Sequence, residues 1–121
     1  HDAVLVDPGD DVPAIVSMVE AAGARPVAIW NTHAHLDHVM GVAALQAMWP
    51  GLPFLVSPGD DDWLESLDAQ AAMFGLGDPG RPVRTGSLSD GDVLQVGRVE
   101  GRVIATPGHT AGGVCLWFPD D

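Results

Sequence analysis

Thr32-His33-Ala34-His35-Leu36-Asp37-His38 sets three imidazoles and one carboxylate within the six positions from His33 to His38. Residues 39–108 then separate this cluster from a fourth internal histidine, His109, in Thr106-Pro107-Gly108-His109-Thr110. A solvated surface has no need to collect three of the chain's five histidines in one place. Neutral imidazole nitrogens beside a carboxylate suit a divalent transition metal, with zinc and a two-metal arrangement as the expectation. In an extended stretch, residues two apart point to the same side, so His33 and His35 can grip one ion together. Asp37 and His38 lie just beyond, where a tightening loop swings them towards a neighbouring ion. A third protein ligand for the first ion must come from elsewhere, and His109 is the internal histidine left to supply it. Gly108 lets the backbone turn sharply before it. His1, at the first position, is not expected to be a ligand.

The chain has 121 residues, 46% of them hydrophobic, which suits one domain over 1–121 with a real core. Seventeen acidic residues stand against five arginines and no lysine, a net charge of −12. Such a field repels polyanions, so no nucleic-acid partner is expected. The arginines (Arg25, Arg81, Arg84, Arg98, Arg102) form no stripe, and the acidity of Asp60-Asp61-Asp62 reads as solvation of a helix start. No apolar run approaches the ~20 residues of a membrane span, and no signal peptide is visible at the start. Cys115 has no internal disulfide partner and reads as a buried strand thiol in Val114-Cys115-Leu116-Trp117-Phe118. A cytoplasmic location is the expectation.

Ala3–Val6 reads as a short strand stopped by Asp7-Pro8-Gly9. A helical stripe at Val12, Ile15, Val16 and Val19 follows, closed by Gly23. Pro26–Trp30 is a second strand, running straight into the histidine cluster. Gly41–Trp49 is a small helix, Pro53–Val56 a third strand, and Asp60–Phe74 a helical region with an acidic start. Residues 75–86 form a Gly/Pro-rich loop. Val93–Val96, Arg102–Ala105 and Val114–Phe118 are short strands with turns between them. Helix-rich first part and strand-rich second part together predict an α/β sandwich. Trp30 is expected in the core, Trp63 and Phe74 in the core with a substrate mouth as the alternative, and the four methionines as fillers.

His-x-His-x-Asp-His after a strand, with a later Pro-Gly-His-Thr, resembles the metallo-β-lactamase superfamily of metallohydrolases. Leu5-Val6-Asp7-Pro8-Gly9 looks like that family's upstream motif, whose aspartate braces the metal loop. Trp63-Leu64, Gln70, Met73-Phe74-Gly75-Leu76 and Asp90-Gly91-Asp92 resemble its compact glyoxalase II-like branch. The resemblance implies a partial αββα sandwich, a fragment lacking the first strands and the C-terminal part. It implies that His33, His35 and His109 hold a first metal, that Asp37 and His38 hold a second, and that Asp7 supports the loop. The bridging aspartate and last histidine of the family would then lie beyond Asp121, with Asp120 and Asp121 in a turn instead.

The implied activity is hydrolysis of a small-molecule thioester, such as a glutathione thioester, by a metal-bound hydroxide that Asp37 orients. Two Zn2+ would fill a complete site, with iron or manganese as alternatives. On the same fold the competing readings are a β-lactamase, an RNA-processing nuclease, an iron-dependent sulfur dioxygenase, and a truncated domain that binds metal without activity. A half-completed sandwich leaves strand edges and an apolar face uncovered, so self-association is expected.

Overall fold

The computed structural model describes residues 1–119; the reading of Asp120 and Asp121 as turn residues lies outside the described residues. The first half is a parallel sheet in the order β1 (Asp2–Val6), β2 (Arg25–Trp30), β3 (Phe54–Leu55). Parallel neighbours need crossover connections, and helices supply them. α1 (Val12–Ala21) links β1 to β2, while α2 (Leu36–Val39) and α3 (Val42–Met48) link β2 to β3. Asp11 caps α1 by accepting from the Ala14 amide at 3.2 Å, and Pro13 sits in its first turn where no amide is needed.

After β3 come a 3₁₀ turn (Pro58–Asp60), α4 (Asp61–Glu65) and α5 (Leu67–Met73). The single helical region expected over Asp60–Phe74 is thus broken at Ser66. Its hydroxyl donates to the Trp63 carbonyl at 3.3 Å, and the Gln70 amide donates to the same oxygen at 2.9 Å. Side chains that take a helix carbonyl in this way compete with the backbone ladder. The second half is an antiparallel sheet of β4 (Val93–Val96), β5 (Val99–Ala105) and β6 (Val114–Trp117).

The period-two alternation of β2 builds the layers. Ile29 faces the helices with Val39, Val42, Leu45, Phe54 and Leu67 in one core cluster. Ala28 and Trp30 face the opposite way and pack with Leu88, Leu94, Val103 and Val114 between the two sheets. The Phe118 ring stacks on Trp30 at 6.3 Å and lies where a Cβ on Gly101 would stand. The order of layers is therefore helix, sheet, sheet, the α/β sandwich expected.

The outer face of the second sheet is bare among the described residues, with Ile104, Cys115 and Trp117 exposed on it. This corrects the reading of Cys115 as a buried thiol. Val114 and Leu116 take the inward positions of β6, which turns Cys115 out. Met18, Met48 and Met73 are likewise exposed rather than core fillers. No described helix is long and apolar enough to cross a membrane.

Candidate metal centre

The ends of the three parallel strands converge, and the residues that follow each strand meet there. Asp7 follows β1, Asn31 to His38 follow β2, and Ser57 to Asp60 follow β3. The carboxyl ends of parallel strands form a crevice that commonly holds the functional groups of α/β folds. Chain reversal at this edge forces unusual backbone. Asp7 has φ of 45°, in the left-handed region that a non-glycine residue rarely enters.

His33, His35 and His109 come together as the sequence predicts, each offering a ring nitrogen within 4.8 Å of the others. The stretch up to His35 is extended (φ −65°, ψ 148° at His35), which puts the His33 and His35 rings on one side with centroids 5.0 Å apart. His35 Nδ1 and His109 Nε2 stand 3.0 Å apart. Imidazole nitrogens around one tetrahedral ion lie roughly 3.3 Å apart, given metal–nitrogen bonds of about 2.0–2.1 Å.

His33 Nε2 provides the test of fit. It is sealed from solvent and has no hydrogen-bond partner among the described residues, while Nδ1 of the same ring lies 3.0 Å from the Thr32 hydroxyl. A buried nitrogen left without a partner is costly unless something outside the protein fills the space. A divalent ion suits it. Burial, and then the neighbouring His38 imidazole, hold His33 below its ordinary value against the opposing pull of Asp7. The neutral, metal-ready form of the ring is thereby favoured.

Asp37 and His38 are not in a loop. They lie on the single turn of α2, which starts directly after His35. The Asp37 carboxylate is 3.6 Å from His38 Nε2, and its side chain is 82% exposed. His38 also meets His33, with ring centroids 4.0 Å apart, so all five side chains named from the sequence fall in one neighbourhood. Asp7, His33 and His38 form a second group of potential ligand atoms. The Asp7 oxygens are already engaged: Oδ1 accepts from the Thr32 amide at 2.7 Å and Oδ2 from the Thr32 hydroxyl at 2.5 Å. His38 Nδ1 adds a contact of 3.4 Å to Oδ2. His1 precedes β1 at the opposite end of the strand, away from this cluster.

Two residues at the centre are missed by sequence reasoning. Asn31, fully buried, donates its side-chain amide to the His38 carbonyl at 2.9 Å. Asp60, read as a solvating acid, is fully buried and accepts from the Ala34 amide, the Thr110 hydroxyl and the Gly112 amide. The available signal was its place after β3, where the neighbouring strands also carry their polar residues.

A cavity of about 860 Å³ opens beside the histidines, lined by His35, Asp37, Met40, Trp63, Met73 and Phe74 among others. Trp63 sets its ring edge-to-face on His35 at 4.6 Å. Phe74 is 69% exposed and Trp63 38%, so both belong to the cavity mouth and not to the core. A separate cavity of about 750 Å³ lies between α4–α5 and the following loop and touches none of the histidines.

Comparison with known proteins gives the same picture. The sequence profile of the Metallo-beta-lactamase superfamily matches residues 1–121. A hydroxyacylglutathione hydrolase of Xanthomonas oryzae pv. oryzae is 37% identical over 108 residues, covering 89% of this chain and 34% of that protein. Among solved structures, the crystal structure of TTHA1623 in a di-iron-bound form is similar with a TM-score of 0.86 and 35% identity, over 97% of this chain and 57% of that one. The BLEG-1 B3 metallo-beta-lactamase is similar with a TM-score of 0.82 and 28% identity, over 98% and 57%. The chain thus spans between about a third and somewhat over half of these relatives' lengths.

Proposed function

Because the chain belongs to the metallo-beta-lactamase superfamily, we propose that it carries the metal centre of a hydrolase acting on a small-molecule thioester, of the hydroxyacylglutathione kind. The observation that carries this reading is the buried His33 nitrogen, without a hydrogen-bond partner among the described residues, where three imidazoles converge. Relatives named as hydroxyacylglutathione hydrolases support the substrate class. In this reading His33, His35 and His109 hold a first ion, and Asp37 and His38 take part in holding a second. Zinc is the proposed metal, with iron kept open by the di-iron-bound neighbour.

A divalent ion bound there would lower the pKa of water to roughly 7 and polarise a carbonyl oxygen. The chain's own residues do the rest. Asp37, exposed at the cavity edge, orients the attacking water. Asp7 holds Thr32, and through it the loop that presents His33. Trp63, Met73 and Phe74 receive the acyl portion of the substrate and exclude water from it. No arginine lines the cavity among the described residues, so carboxylates of a thiol carrier are met elsewhere. No nucleophilic serine or cysteine is needed, and Cys115 lies on the far face of the second sheet. A lone cysteine and such a substrate go with a cytoplasmic location, and the bare outer face of that sheet goes with self-association.

The test is hydrolysis of S-lactoylglutathione by zinc-loaded and iron-loaded protein, run beside a β-lactam. Thioester turnover that disappears with a chelator is expected. Turnover of the β-lactam alone would transfer the reading to the lactamase branch, which the BLEG-1 likeness supports. No turnover of either by a fully loaded protein would sink the hydrolase reading.

A further inference from the structure

Asp60 opens α4, yet its carboxylate makes no capping bond to that helix. All three of its hydrogen bonds cross to other parts of the chain. Oδ2 accepts from the Ala34 amide at 3.0 Å and from the Thr110 hydroxyl at 2.8 Å, and Oδ1 accepts from the Gly112 amide at 2.7 Å. Ala34 is the residue between His33 and His35, and Thr110 is the residue after His109. One carboxylate therefore takes the amide of the residue between His33 and His35 and the hydroxyl of the residue after His109.

The contact is built, not incidental. Asp60, Ala34, Thr110 and Gly112 are all buried, whereas His109 itself is exposed. Two glycines let the segments meet. A Cβ on Gly59 would stand 2.9 Å from Gly112 Cα, and one on Gly112 would stand 2.7 Å from both Asp60 N and Asp60 Oδ1. The Ser57 hydroxyl accepts from the Gly59 amide, and the Asp60 amide donates to the Ser57 carbonyl, which fixes the turn from β3. A buried carboxylate is tolerated only where several donors satisfy it, and here each donor is a fixed part of a histidine-bearing segment.

We propose that Asp60 is a positioning residue for the three-imidazole centre, clamping the His33–His35 segment to the His109 segment so that their nitrogens converge on one ion. This rests on the reading of those histidines as metal ligands. Asp60→Asn puts an amide donor where only acceptors fit, while keeping the volume. Outer hydrogen-bond partners of metal ligands typically carry 10- to 100-fold in affinity. Thr110→Val removes one of the three donors and Thr110→Ser keeps it.

The experiment is competition of Co2+ and Zn2+ against a chromophoric chelator, with the Co2+ absorption spectrum recorded for each variant. Expected are a loss of about 10- to 100-fold in affinity and an altered Co2+ spectrum for Asp60→Asn, a smaller loss for Thr110→Val, and recovery in Thr110→Ser. Leu88→Ala, in the cluster between the sheets, should lower thermal stability while leaving the Co2+ spectrum and affinity unchanged. Wild-type affinity and spectrum in Asp60→Asn would overturn the proposal, as would a Leu88→Ala loss equal to that of Asp60→Asn. If Asp60→Asn does not fold, Thr110→Val and Thr110→Ser decide: equal affinities overturn it. Wild-type protein that binds neither ion, or binds it equally well as His109→Ala, overturns both this proposal and the reading beneath it.

Discussion

The three-imidazole group and the Asp37–His38 pair lie side by side but are held in different ways. His33 and His35 follow directly from β2, the central strand, and His109 is rooted in buried Thr110 and Gly112. Asp37 and His38 sit on a one-turn helix, with the Asp37 side chain 82% exposed. Sheet ends hold ligands more firmly than a short exposed turn does. The first position is therefore preorganised, and the second takes its shape from whatever joins it. Two ions bound here would fill in order, the three-imidazole position first.

His109→Ala strikes the firm position and carries the largest expected effect. Affinity for the first ion should fall by more than about 100-fold, beyond the usual cost of losing an outer hydrogen-bond partner. Metal content after dialysis checks it, and unchanged content would erase the distinction between the two positions. Asp37→Ala strikes the open one. The weaker equivalent of metal should be lost and the tighter one kept, with stability changed by no more than about 0.5 kcal/mol, as for most surface substitutions. Isothermal titration reads both equivalents; loss of the tight one would show that the two positions form a single unit.

The smallest effect is one of pH on the metal-free protein. Because the folded state holds the His33 value below 6.5, the unfolded chain takes up a proton that the folded chain refuses. Stability contributed by this ring is lost as pH falls below 6.5, and the loss levels off once pH is under the lowered folded value. Urea unfolding of chelator-treated protein between about pH 8 and pH 5 should show the fall, and His33→Gln should show less of it. Equal profiles for the two proteins would contradict the burial argument.

Much of this was legible because it is local. The histidine spacing and the strand before it lie within a few residues of one another, and the Gly108 turn stands directly before His109. The stripe of α1 and the short strands announce themselves by period. Asp60 was not legible, since its partners lie 26, 50 and 52 residues away and its neighbours Asp61 and Asp62 mimic an ordinary helix start. The apolar run Val114–Phe118 hid the alternation that turns Cys115 outward, because every residue in it reads as core. Phe74 and Met73 misled for the converse reason. Apolar residues are expected inside, and only the placement of α5 beside the histidines shows why these two are exposed.

His35 and His109 are 74 residues apart in sequence and 3.0 Å apart in space. Bringing the ends of such a segment together costs about 4 kcal/mol of chain entropy by the logarithmic rule. An ion shared by these two rings acts as a reversible cross-link, one that releases when the ion is withdrawn. Folding and metal uptake would then be linked: an ion held by both rings would add to the stability of the docked sheets, and add more as its concentration rises.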